Sequence, residues 1–76
     1  MSTLPCLNGR EVARTFESMG WQIAGQRGSH IILIKEGEAA TQSVPDHKEV
    51  AKGTLCGLIG AANLTVDQFL AALNSK

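Results

Sequence analysis

The chain has 76 residues, 43% of them hydrophobic and 18% charged, with seven basic residues against seven acidic ones. That composition argues against disorder, and the length predicts one domain (residues 1–76) with a thin core, because a chain this short buries only about 60% of its unfolded surface. No apolar run approaches the roughly 20 residues of a membrane span, and a net charge of zero counts against the strong basic footprint common in nucleic-acid binders.

Met1-Ser2-Thr3-Leu4-Pro5 lacks the basic start and apolar stretch of a signal peptide, so a cytoplasmic location is expected. Cys6 and Cys56 are too few and too far apart for a disulfide framework or a structural zinc site, and read as two small hydrophobes. The first helix is predicted over about residues 9–19. Asn8 and Glu11 have the spacing of a capping box, and Leu7 and Val12 that of a hydrophobic staple. Val12, Phe16 and Met19 recur at helical spacing, and Gly20 ends the run. Trp21–Gly25 reads as a short strand with Trp21 and Ile23 on one face, followed by turn residues Gln26–Ser29. His30–Lys35 contains four consecutive strand formers, Ile31 to Ile34, and its two apolar faces predict a central strand covered on both sides. Glu36–Glu38 turns the chain, Ala40–Val44 is the third strand, and Pro45 stops it.

After a loop over 46–51, a second helix begins at Lys52 or Gly53 and runs to Ala62 with an apolar stripe of Leu55, Leu58, Ile59 and Ala62. Asn63 suits a left-handed terminator, with Leu64 folding back on Ile59. Thr65 and Gln68 form another capping box, opening a C-terminal helix over 66–74 with Val66, Phe69, Leu70 and Leu73 on one side. Short connections favour an antiparallel meander. The expected fold class is α+β: α-β-β-β-α with a three-stranded antiparallel sheet, as in double-stranded-RNA-binding domains, plus an extra C-terminal helix. The first two helices would share one sheet face, and either the third helix or a partner would cover the other.

Chemistry has few candidates. No nucleophile elbow, P-loop or paired carboxylates are present, and no cofactor or metal is expected. His30 opens a rigid strand just after Gly28 and Ser29, where a substrate backbone could approach closely. A histidine there is either an ordinary strand-edge residue or a base able to take a proton from a ribose 2′-hydroxyl near neutral pH. Arg27 is near enough in sequence to hold the phosphate. Lys48 and Lys52 flank the start of the second helix, ahead of Gly53 and Thr54. They are either a solvated loop, since Asp46 and Glu49 share the stretch, or a phosphate site that uses the helix N-terminus. The charge is unevenly spread: residues 1–35 hold four basic and two acidic side chains, residues 36–76 three and five.

The same residues carry a family resemblance. Gly20-Trp21, Arg27-Gly28-Ser29-His30, Val44-Pro45-Asp46-His47-Lys48-Glu49 and Lys52-Gly53-Thr54-Leu55 occur in the order and spacing of the HicA (YcfA-like) toxins. Asn63-Leu64-Thr65-Val66-Asp67-Gln68-Phe69-Leu70 resembles their C-terminal extension, beyond a core of about 7–64. The second helix has Cys56 and Gly60 where members often carry basic residues. The resemblance implies the toxin of a type II toxin–antitoxin system. It also implies an mRNA endonuclease that needs no metal, with His30 as catalytic histidine, and a HicB-type antitoxin that masks the site. Arg27, Gly28, Ser29, His47, Lys48, Lys52, Gly53 and Thr54 are the expected substrate contacts. The alternative from another class is a non-catalytic RNA- or protein-binding module on the same fold.

Overall fold

The computed structural model describes residues 4–75; Met1, Ser2 and Thr3, part of the segment read for a signal peptide, lie outside the described residues, as does Lys76. Helix α1 (Gly9–Ser18) starts where the capping box places it. Glu11 N–H donates to Asn8 Oδ1 at 2.8 Å, and Asn8 N–H donates to Glu11 Oε1 at 3.1 Å. It ends at Gly20, whose φ of 101° favours a residue without a Cβ. There the Gly20 and Trp21 N–H groups return to the carbonyls of Glu17 and Phe16, both at 3.1 Å. This reversal lays Trp21 edge-on against Phe16, with ring centroids 6.0 Å apart.

Strands β1 (Gln22–Arg27), β2 (His30–Ile34) and β3 (Gln42–Pro45) form an antiparallel sheet in the order β1-β2-β3. Several strand ends differ from the sequence reading. β1 runs on to Arg27, because Gly28 and Ser29 alone close the hairpin. Gly28 has a φ of 56° at the first central position, the place where a two-residue turn needs it. β3 starts at Gln42 rather than Ala40 and keeps Pro45 as its last residue, opposite His30. Proline is tolerated there because β3 is an edge strand.

Helices α1 and α2 (Lys52–Ala61) cover one face of the sheet, where Ile31, Leu33 and Val44 are buried against Val12, Phe16, Leu55 and Ile59. Gln42, itself buried, donates from Nε2 to the Leu58 carbonyl at 3.3 Å and ties β3 to α2. α2 closes as the sequence predicts. Asn63 takes a φ of 60°, and the Asn63 and Leu64 N–H groups bond back to Gly60 and Ile59 at 3.0 and 3.1 Å. Helix α3 (Val66–Asn74) is capped by Thr65 and Gln68 and turns by 100° from α2. Among the described residues no single helix is long and apolar enough to cross a membrane.

The expectation of a β2 covered on both sides is corrected. Ile31 and Leu33 are buried, but Ile32 is only partly covered, Ile34 is 44% exposed and His30 is exposed. α3 does not cover that second face. It packs beside α1, with the Phe69 ring 5.4 Å from Phe16, because its one fully buried side chain reaches the existing core from the helix side. Ile23 stands opposite Leu33 and so on the helix side, like Trp21, yet it remains 48% exposed in a groove between α1 and β1. The two cysteines are exposed free thiols and not core residues; Cys6 Sγ lies 3.8 Å from Glu49 Oε1.

Candidate functional site

The predicted site residues gather at one end of the sheet, where the β1–β2 hairpin turns and β3 ends. His30 and Arg27 are directly opposite each other in the ladder. Such pairs share a face, with Cβ atoms about 4.5–5.5 Å apart. The shared face is the open one, since Ile31, the next residue along β2, is buried under the helices. A cation therefore stands beside the imidazole on an uncovered surface. Gly28 and Ser29 make the turn between them, and with no Cβ on Gly28 there is nothing within 4 Å to block an approaching strand.

The 45–48 segment is fastened to this hairpin and to α1. Asp46 N–H donates to the Ser29 carbonyl at 2.7 Å, and Gly9 N–H donates to the His47 carbonyl at 2.9 Å. Gly9 makes the second contact possible: a Cβ there would fall 2.2 Å from the Pro45 carbonyl oxygen and 2.7 Å from Asp46 Cα. The result is a cavity of about 270 Å³ lined by Asn8, Arg10, Asp46, His47 and Lys48. Arg10 Nε is 3.7 Å from Asp46 Oδ1, and Gln26 Nε2 bridges Asp46 Oδ2 and the Gly28 carbonyl, both at 3.3 Å. Asp46 thus engages partners on the helix side of the sheet, opposite to His30.

The structure brings His30, Arg27, Gly28 and Ser29 together through the hairpin and sets His47 and Lys48 in the adjoining loop. Lys52, Gly53 and Thr54 are separate: they form the exposed first turn of α2. Among the described residues no hydrogen bond or ion pair joins them to the hairpin. Their helix has Ala51 at its N-cap with no side-chain bond, so its first N–H groups face outward. Among the described residues no carboxylate is hydrogen-bonded to either imidazole, and no three His, Cys, Asp or Glu side chains cluster as a metal site would need. Among the described residues no relayed triad forms at His30.

Arg10, Gln26 and Asp46 were not singled out by the sequence. Arg10 carries a usable signal, since the capping box fixes it in the first turn of α1 beside the anchored loop. The bridge from Gln26 to Asp46 spans 20 positions and has no local signature.

In a comparison with known families, residues 9–64 fit the model described as HicA toxin of bacterial toxin-antitoxin. Comparison with curated proteins and with solved structures finds no match. The fitted segment runs from the first residue of α1 through the hairpin and the 45–48 loop past the end of α2, and so contains every site residue expected from the sequence. With most of its length fitted, the chain belongs to the HicA toxin family of bacterial toxin–antitoxin systems.

Proposed function

We propose that the protein is an mRNA interferase, the toxin of a type II toxin–antitoxin pair acting in the cytoplasm, and that His30 is its catalytic base. The observation that carries this reading is the His30–Arg27 pair on the open sheet face, at the tip of a hairpin anchored to its neighbours. The imidazole takes the proton of a ribose 2′-hydroxyl. The freed oxygen attacks the adjacent phosphorus, and the bond to the 5′-oxygen of the next nucleotide breaks. A cyclic phosphate remains on one fragment and, once protonated, a hydroxyl on the other. Histidine chemistry of this kind supplies its own acid and base and calls for no metal. Arg27 stabilises the charge that grows on the phosphate, a role in which a preorganised cation is worth most.

The remaining contacts serve binding. Gly28 and Ser29 allow the close approach, His47 and Lys48 meet a neighbouring phosphate at the cavity, and Lys52, Gly53 and Thr54 offer a cation and free N–H groups at the start of α2. A HicB-type antitoxin is the partner, and the open face with Ile32 and Ile34 beside His30 is where it would mask the site. The test is cleavage of a single-stranded RNA by the wild type and by His30→Ala, with and without chelator. Cleavage that survives chelation and is lost in the variant supports the proposal; equal cleavage by the two proteins refutes it. A second reading, a non-catalytic module that binds a protein partner on the same fold, is favoured by the net charge of zero, which lacks the basic footprint of an RNA binder. A folded wild type that neither binds nor cleaves RNA in the same assay would favour it.

A further inference from the structure

We propose that Asp46 is a positioning residue that fastens the hairpin tip, and His30 with it, to α1. The inference rests on the reading of His30 as the base and concerns how that base is held. Three elements meet at this aspartate. Its backbone N–H donates to the Ser29 carbonyl at 2.7 Å, the residue just before His30. Its Oδ2 accepts from Gln26 Nε2 at 3.3 Å, and the same amide group donates to the Gly28 carbonyl at 3.3 Å. Its Oδ1 faces Arg10 Nε at 3.7 Å. Both turn residues are thereby tied through one side chain or its own backbone.

The need for such a clasp follows from the surroundings. β1 is exposed along its whole length, so few buried contacts hold the hairpin tip. The register of β1 and β2 is also broken between Ile23 and Gly25, so the ladder near the tip is not backed by a continuous one. His30 has Pro45 opposite it on β3, the last residue of that strand, so the β2–β3 ladder ends at the tip. The tip therefore lacks the usual sources of rigidity, and Asp46 supplies a substitute from the α1 side. The clasp reaches the helix side of the sheet while His30 projects from the other, so Asp46 acts on the base through the hairpin and not by contact with the imidazole.

The experiment uses the full chain and a single-stranded RNA oligonucleotide. It measures the single-turnover cleavage rate, the Kd for RNA and amide exchange at residues 28–30, in wild type, Asp46→Ala, Asp46→Asn, Gln26→Ala and the Gln26→Ala/Asp46→Ala pair. Asp46→Ala should slow cleavage by about tenfold, given that misplacing a reacting group by 1 Å can cost about 100-fold. Its Kd should not weaken, because a carboxylate leaves the cavity where a phosphate is placed, while exchange at 28–30 quickens and that at Leu33 does not change. Asp46→Asn keeps an acceptor for Gln26 and should restore most of the rate. Adding Gln26→Ala to Asp46→Ala should cost less than Gln26→Ala costs alone, because the bond between Gln26 and Asp46 is already lost and only that from Gln26 to Gly28 remains to be removed. The proposal is overturned if Asp46→Ala cleaves at the wild-type rate, or if its loss lies wholly in Kd. Should Asp46→Ala fail to fold, Gln26→Ala and Asp46→Asn decide on the same readouts. If wild type does not cleave, or His30→Ala cleaves as well as wild type, the reading of His30 fails. Exchange at residues 28–30 then judges the clasp by itself, and unchanged exchange in Asp46→Ala overturns it.

Discussion

Gly9→Ala places a methyl group into backbone. The added Cβ would lie 2.2 Å from the Pro45 carbonyl oxygen and 2.7 Å from Asp46 Cα, where ordinary contact begins near 3.4 Å. Neither obstacle is a flexible side chain, so α1 and the 45–47 segment must separate by about 1 Å, and overpacking of that kind costs about 1–3 kcal/mol. Alanine's better helix propensity returns less than about 1 kcal/mol, because Gly9 is the first residue of the helix. The melting temperature of a domain this size moves by about 4–8 °C per kcal/mol, so the variant should melt several degrees or more below wild type. It should also lose cleavage activity, since the same separation breaks the bond from Gly9 N–H to the His47 carbonyl. Gly57→Ala and Gly60→Ala are the controls. Each lies within α2 with nothing within 4 Å of the added Cβ, and each should raise stability by up to about 1 kcal/mol. Thermal denaturation of the three variants, each followed by circular dichroism, checks the set. A Gly9→Ala protein as stable as Gly57→Ala would refute the claim that the close approach of α1 builds the site.

His30→Ala should abolish cleavage and relieve growth inhibition with an unchanged melting curve, because the side chain is exposed and buries nothing; His47→Ala should lose less, and an equally complete loss would indicate a two-histidine acid–base pair. Lys48→Ala with Lys52→Ala should weaken RNA binding without altering sequence preference, and should flatten the log–log salt dependence by about 0.7 for each single-strand phosphate contact removed; an unaltered slope would mean that both lysines only face solvent. Phe69→Ala should destabilise by about 3–5 kcal/mol, measured by urea denaturation, since the ring is fully buried against Phe16; a loss under about 1 kcal/mol would show that α3 is an appendage and not part of the core. In a complex with the antitoxin, amide exchange at residues 27–34 should slow. An intact, inhibited complex without that protection would place inhibition elsewhere.

The elements whose signals are local were legible. Both capping boxes, the glycine stop at Gly20 and the left-handed Asn63 each depend on residues within one turn of one another, and each forms as read. The apolar stripe of α2 was equally legible, because Leu55, Ile59 and Ala62 are buried at helical spacing. The cover of β2 was not. Alternation along His30–Ile34 tells which residues share a face, but four apolar side chains in a row read the same whether one face is buried or two. The candidate site was half legible for the same reason. His30 and Arg27 flank a turn that the sequence announces at Gly28, although it reads four turn residues, Gln26–Ser29, where two close the hairpin. The meeting of Gly9, Arg10, Gln26 and Asp46 depends on how α1 sits against the end of β3, and that packing has no local signature.

The open face links stability to function. A sheet of three strands with both apolar faces of β2 exposed would be a poor fold, and burying a side chain such as Leu33 contributes about 1.5–3 kcal/mol. The chain commits Ile31 and Leu33 to that purpose and leaves Ile32 and Ile34 on the side that carries His30. Those two residues do little for the isolated domain. Covering them would, however, remove apolar surface from water and at the same time close the approach to the imidazole. A partner selected for the apolar surface would therefore inhibit without contacting the catalytic group by any special chemistry. Because it would bind only the folded form, it would also stabilise a domain with a thin core by mass action. The antitoxin's affinity and its inhibition would then arise from one and the same burial. Substitutions at Ile34, which is 44% exposed and the last residue of β2, would weaken both together while leaving cleavage by the free toxin intact.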